Sequence, residues 1–383
     1  MKLEKIISLL MTLVMSMCTT ACDAKEDINM VLNETAPTEK TFFATDDYVK
    51  QLGRNVLDDN NVLWLVHTDA CVEFEVNGSE LTINLMGDST VFGDSKPRFA
   101  VYLDGERVID EMMNAPEKTV EVFKHEEVKK HTVKLIKLSE SSSSVFGIQS
   151  IVANCINNIT PTAYKDLKIE FIGDSITCGY GVDDEVKEHG FSTTTEDGTK
   201  TYAYKACEAL DADYSMVCYS GHGIISGYTG DGNRQTWGIV PDIYDKVGRS
   251  GGGEAPNMSS IDWDFDKFEP DYVVINLGTN DHSYVKGDAA KAKEYAEAYA
   301  EFIKVIRKKY KDTHIICSLG IMGDELFKSI EEAIELSGDK NISALRFSPR
   351  ASTDPVAADW HPAEATHERA AGELVEHINS LKK

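Results

Sequence analysis

Metal-ligand spacings are missing from this chain. Beyond Cys22 it has six cysteines, Cys71, Cys155, Cys178, Cys207, Cys218 and Cys317, and none forms a C-x-x-C pair, so a zinc site of the usual spacing is not indicated. His361, His367 and His377 do not fit H-E-x-x-H, and no glycine-rich loop of the phosphate-cradling kind is present, so neither a metal nor a phosphate-bearing cofactor is expected. Positive charge is scarce: 39 Lys and Arg stand against 64 Asp and Glu, a net charge of −25. Such a surface repels polyanions, which excludes nucleic acid as a partner and leaves neutral substrates unhindered. Long apolar runs are absent too. The one candidate, Ile6 to Met17, is too short to span a bilayer comfortably and has the length of a signal-peptide core.

That run follows Lys2 and Lys5 and ends in Cys18-Thr19-Thr20-Ala21-Cys22. Small residues before a cysteine resemble a bacterial lipoprotein cleavage box with Cys22 as the lipidated residue, although Thr19 stands where a leucine is usual. Residues 1–22 are therefore expected to be a signal peptide. The protein is expected to be exported, as a cell-surface or periplasmic lipoprotein or as a secreted protein. Residues 23–40, with Asp23, Glu26, Asp27, Glu34 and Glu39, read as a polar tether.

From 41 to 162 the apolar pattern has period two. Val72, Phe74 and Val76 alternate with Glu73 and Glu75, Asn77-Gly78 reads as a hairpin turn, and Leu81, Ile83 and Leu85 alternate again. Phe99, Val101 and Leu103 lead into a second turn signal, Asp104-Gly105. Val120 with Val122, and Val133 with Leu135, add strands, and Ser139 to Ser144 reads as a loop inside the same module. Many short strands without helical periodicity predict a β-sandwich or jelly roll.

After Pro161 the period changes. Strand-like Ile169–Ile172, Tyr214–Tyr219, Tyr272–Leu277, His314–Leu319 and Ile342–Phe347 alternate with helical segments near 202–210, 288–310, 325–336 and from His361 onward. Residues 163–383 are therefore expected to form an α/β domain with a mainly parallel, helix-covered sheet. Tyr299, Phe302 and Ile306 fall at helical spacing and read as a core-facing stripe.

Four short blocks fall at or just after predicted strand ends, where open α/β sheets place their sites. They are Gly173-Asp174-Ser175, Ser220-Gly221-His222-Gly223, Gly278-Thr279-Asn280-Asp281 and Asp359-Trp360-His361. Acyl transfer needs a nucleophile, a base, an orienting group for the base, and donors for the developing oxyanion. Each block alone has a plainer reading: Ser175 as a helix cap, Asn280-Asp281 as a turn, His361 as a helix-start residue beside Pro362. His222 and His282 are rival bases, and Asp174 reads as a structural residue that holds loop amides.

In order and together, these blocks resemble those of the SGNH (GDSL-type) hydrolase superfamily. More narrowly, the run 173–181, Gly-Asp-Ser-Ile-Thr-Cys-Gly-Tyr-Gly, and the run 276–281, Asn-Leu-Gly-Thr-Asn-Asp, behind a β-sandwich, resemble carbohydrate esterase family 2. The resemblance implies an acetylxylan esterase-like enzyme, a carboxylic ester hydrolase that takes acetylated polysaccharide or oligosaccharide and uses no cofactor or metal. It implies Ser175 as nucleophile, His361 as general base, and an oxyanion hole made by the N–H groups of Ser175 and Gly221 and the amide of Asn280. The superfamily spaces its acid three residues before the histidine, where this chain has Ala358; Asp359, two residues before, is the acid present, a spacing the narrower family tolerates, and in some of its members backbone carbonyls orient the imidazole instead. Trp360, between Asp359 and His361, and His222 are candidate substrate contacts, whereas Trp263 reads as core. Two other readings stay open: an SGNH esterase, lipase or thioesterase with another small acyl ester, or an inactive carbohydrate-binding surface protein.

Overall fold

The structure, a computed structural model, describes residues 36–250 and 252–382. The expected signal peptide, Cys22 and most of the expected tether lie outside those residues. The tether's last residues do not: Thr38 to Lys40 already belong to β1 (Thr38–Phe42), paired antiparallel with Cys155 to Ala153.

The following strands are β2 (Lys50–Leu52), β3 (Asn55–Leu57), β4 (Leu63–Leu65), β5 (Cys71–Gly87), β6 (Arg98–Leu103), β7 (Glu106–Met112), β8 (Glu117–Lys137), β9 (Phe146–Cys155) and β10 (Thr160–Pro161). With β1 they form an antiparallel sheet in the order β3-β4-β9-β5-β8-β6-β7, with β1 on β9 and both β2 and β10 on β5. The sheet folds over an apolar interior that includes Val72, Phe74, Leu81, Ile83, Phe99, Val133, Leu135 and Ile148. Alternate residues of β5 point into it, which is why the period-two pattern was legible. The Asp104-Gly105 turn is present, both residues having positive φ (53° and 90°), as a tight hairpin needs.

Asn77-Gly78 is not a turn. β5 runs straight through it, with an irregularity at Gly78/Glu80, and pairs with β8 on one side and β9 on the other. A Cβ on Gly78 would stand 2.7 Å from the Asn154 carbonyl oxygen, so the glycine admits a neighbouring strand rather than reversing the chain. Val120 and Val133, expected on separate strands, likewise share the 21-residue β8.

The second half alternates β11 (Leu167–Gly173), α1 (Ser175–Cys178), α2 (Tyr202–Leu210), β12 (Ala212–Cys218), β13 (Tyr272–Asn276), α3 (Thr279–Val285), α4 (Ala289–Lys309), β14 (His314–Leu319), α5 (Phe327–Ser337), β15 (Ile342–Arg346) and α6 (Glu364–Leu381). The sheet is parallel throughout, in the order β12-β11-β13-β14-β15. The chain leaves β11 toward one edge and returns to build the other, so the strand order reverses at β11. A crevice opens at such a reversal beyond the strands' C-terminal ends. α4 buries Tyr299, Phe302 and Ile306, as its spacing predicts, and Asp288 caps it by accepting from Ala290 N–H at 2.9 Å. The last helix starts at Glu364, not His361, because residues 361 and 363 are extended, with ψ of 163° and 165°.

The two domains share their cores. Val62, Trp64, Val66 and Val145 join one apolar layer of the parallel sheet, and Leu52, Ala100, Ile136 and Leu138 join the other. Fully buried Arg54 reaches across to Glu170 in mid-β11, 3.6 Å from Nη2 to Oε2. All six described cysteines are free and buried.

Candidate active site

β11 delivers the chain to Asp174, whose Oδ1 accepts from Ile176 N–H at 3.0 Å and caps the single turn of α1. Ser175 is the first residue of that turn, a position whose N–H has no partner within the helix. The turn ends at Gly179, with φ of 81°, and Gly181 follows with φ of 60°; a Cβ there would stand 2.6 Å from that of Ala358. These two glycines let the chain double back under residues 358–361. Tyr180, between them, lies flat against the His361 ring, centroids 4.0 Å apart and planes 16° apart. The run 173–181 is thus one piece of local geometry that carries the serine and a floor for the histidine.

His361 Nε2 is 2.8 Å from Ser175 Oγ. Its Nδ1 faces two backbone carbonyls, Asp359 at 3.2 Å and Ala358 at 3.3 Å. Carbonyls only accept, so the proton sits on Nδ1 and Nε2 is free to accept from the serine. Burial lowers the His361 pKa to about 4, against the opposing charge of Asp359 and the two carbonyl hydrogen bonds. The imidazole is therefore neutral near pH 7.

Of the two ways the resemblance leaves for orienting the imidazole, the backbone one is present. The Asp359 carboxylate does not hold the imidazole; it accepts from Tyr180 O–H at 3.3 Å. Asp359 and Trp360 have φ of 49° and 60°, a left-handed pair that turns peptide carbonyls toward the ring and the acid side chain away. The two-residue spacing to His361 gives a backbone contact where the usual three-residue spacing would give a carboxylate.

The remaining blocks come together at the same crevice. The loop after β12 carries Gly221, with φ of 75°. Among the described residues its N–H has no hydrogen-bond acceptor. Asp281 is fully buried beneath that loop, and its carboxylate accepts from Ile224 N–H at 3.0 Å, Ile225 N–H at 2.7 Å and Ser226 N–H at 3.1 Å. Burial raises its pKa to about 6 in spite of these bonds. Asn280, at the start of α3, gives one amide proton to the His222 carbonyl at 2.8 Å, while its second contact, to Asp174 Oδ2, is a long 3.3 Å. Burial, with a smaller push from the Asp281 charge, raises the Asp174 pKa to about 7.

The rival histidines are placed elsewhere. His222 is 2% exposed with both ring nitrogens engaged: Nδ1 donates to the Ser220 carbonyl at 2.8 Å, and Nε2 accepts from Arg249. Both ring nitrogens are thus used within the loop. His282 sits on α3 beside Glu325, 4.0 Å away. Trp360 is half-exposed next to His361, with Lys187 Nζ 4.3 Å over its ring. Trp263 is buried under Arg54. Trp237, on which the sequence is silent, is half-exposed, its ring edge-on to His222 and close over Gly221. A tryptophan in an irregular loop has no periodicity to betray it.

Both halves of the chain match known protein families. Residues 171–374 match the GDSL-like Lipase/Acylhydrolase family, and residues 51–162 match the carbohydrate esterase 2 N-terminal family. The chain is 30% identical over 315 residues to the cellulase/esterase CelE of Acetivibrio thermocellus, covering 79% of this chain but only 37% of that protein's length. It is 24% identical to an acetylxylan esterase / glucomannan deacetylase of Cellvibrio japonicus, covering 89% of this chain and 91% of that protein. Among solved structures, a family two carbohydrate esterase from Clostridium thermocellum in complex with cellohexaose superposes with a TM-score of 0.75 at 28% identity, over 87% of this chain and 99% of that one. An acetyl xylan esterase from Butyrivibrio proteoclasticus shares the fold at a TM-score of 0.80 and 23% identity, over 90% of this chain and 99% of that one. With one match spanning more than half of the chain and the other most of the antiparallel domain, the protein belongs to the GDSL-like lipase/acylhydrolase family and carries a carbohydrate esterase 2 N-terminal domain before it.

Proposed function

We infer that this chain is a serine esterase that removes O-acetyl groups from polysaccharide of the xylan or glucomannan kind. The observation that carries the reading is the 2.8 Å contact between Ser175 Oγ and a neutral His361 Nε2. Ser175 Oγ attacks the acetyl carbonyl as its proton passes to His361 Nε2. The carbonyl oxygen becomes an oxyanion facing the N–H groups of Ser175 and Gly221 and the Asn280 amide, whose second proton leaves its long contact with Asp174 Oδ2 to reach it. Collapse expels the sugar oxygen, which takes the proton from His361 and leaves acetyl-Ser175. Water, deprotonated by the same nitrogen, then releases acetate and restores the serine. No metal or cofactor is needed for this sequence. One oxyanion donor is typically worth about 3 kcal/mol of barrier.

The polysaccharide part of the reading is supported by the relatives named as deacetylases and by the neighbour bound to cellohexaose. Trp237 and Trp360 fit it, since an exposed indole face suits the apolar C–H side of a pyranose. An acetylated polymer is too large to enter a cell, so the reading includes export, with attachment through a lipid on Cys22. Aryl esters of increasing acyl length test the acyl part: kcat/KM is highest for acetate and falls steeply with chain length. A preference for long chains would assign the site to a lipase instead.

The titration of the base follows from its burial. A base must be neutral, and His361 stays neutral down to about pH 4. An NMR titration of the His361 imidazole, taken before acid unfolding intervenes, has its midpoint near 4; rates alone do not isolate it, because Asp281 and Asp174 in the same site are raised to about 6 and about 7. An imidazole midpoint at 6.5, the unperturbed value, would contradict the burial argument.

A further inference from the structure

The Gly221 loop leans on the other domain. Glu140, which follows β8 in the serine-rich loop of the sandwich, is 3% exposed. Its Oε2 accepts from Ser220 N–H at 2.7 Å, and its own N–H donates to Glu196 Oε2 at 2.9 Å. Beside it, Leu138 O accepts from Gly198 N–H at 3.1 Å, and Ser141 Oγ accepts from Arg249 N–H at 3.2 Å. Arg249 in turn donates to His222, which donates to the Ser220 carbonyl. Ser220 is therefore held on both sides, its N–H by Glu140 and its C=O by His222. That C=O and the Gly221 N–H belong to one planar peptide unit, so fixing the first aims the second.

We propose that Glu140, a residue of the sandwich domain, is a positioning residue for the oxyanion hole: by holding the Ser220 N–H it fixes the peptide unit ahead of Ser220, and together with His222 on the Ser220 C=O this sets the direction of the Gly221 N–H. Joining the domains does not require it, because they already share two apolar layers. Burying a carboxylate is costly, and an apolar side chain would dock the loop without that cost. What the carboxylate supplies is a strong, directed hydrogen bond to one backbone amide. The sandwich thus helps to build the site as well as bracing the catalytic domain.

The inference rests on the reading of Gly221 as an oxyanion donor, and its test separates the two. Aryl acetate hydrolysis is compared in the full chain for wild type, Glu140→Ala, Glu140→Gln and Ser175→Ala. An oxyanion donor acts on the transition state, and losing one outright costs roughly 10²–10³ in kcat, so misaiming one costs less. Glu140→Ala loses roughly 10- to 100-fold in kcat with KM changed less than about twofold. Glu140→Gln keeps an acceptor oxygen and recovers kcat to within roughly threefold of wild type. Should Glu140→Ala fail to fold, Glu140→Leu, which fills the space without an acceptor, carries the same expectation. Equal kcat in the Gln variant and the acceptor-free variant, or a loss confined to KM, overturns the proposal. Survival of activity in Ser175→Ala overturns the underlying reading instead.

Discussion

Ser175→Ala lowers kcat for an aryl acetate by roughly 10⁴- to 10⁶-fold, the range over which serine hydrolases lose their covalent route. The size follows from what the hydroxyl does. Without it no acetyl-enzyme forms, and what remains is the oxyanion hole and binding acting on a direct attack by water. Ser175 is 7% exposed and its side chain contacts the His361 ring, so removing one oxygen leaves a void too small to disturb the fold. Single-turnover assays with intact mass measurement check both parts. Wild type passes through a species heavier by one acetyl group, and the variant shows none. Undiminished turnover in the variant would remove Ser175 from the mechanism.

His361→Ala has an effect of similar size, because a serine without its base is a poor nucleophile. The double variant is no worse than either single one, since the two act as a unit. Asp359→Asn behaves differently. In a triad whose acid grips the imidazole, the same change costs about 10⁴-fold by favouring the wrong tautomer. Here carbonyls of Ala358 and Asp359 hold the Nδ1 proton, and asparagine leaves both in place. Asp359→Asn therefore costs less than roughly tenfold, through the lost charge near the imidazolium and the altered contact with Tyr180. Parallel steady-state assays of the three variants decide between a dyad held by backbone and a full triad. A 10⁴-fold loss in Asp359→Asn would restore the triad.

Much of this site was legible in order of blocks alone. Ser175, Gly221 and Asn280 follow β11, β12 and β13 directly, and strand ends are visible as breaks in apolar runs. Asp174 as a holder of loop amides was also readable, since a carboxylate beside a sharp turn has few other uses. What was not readable depends on backbone handedness or distance in sequence. Nothing in Asp359-Trp360 announces two consecutive residues of positive φ, because neither is glycine. Asn77-Gly78 carries the residue types of a hairpin turn, but its conformation is decided by the Asn154 carbonyl lying against it from another strand. Glu140 lies 35 residues before the nucleophile in a serine-rich loop, and only the docking of the two domains brings it under Ser220.

On the proposed reading, Ser175 and His361 release acetate from an acetylated glycan. The most direct test of that reading is acetate release from acetylated xylan and acetylated glucomannan by wild type and Ser175→Ala at equal concentration. Acetate release, linear in time and in enzyme, is expected from at least one polymer with the wild type, and none above background with the variant. Equal release by both, or no release from either polymer by a wild type that hydrolyses long-chain esters, would contradict the reading.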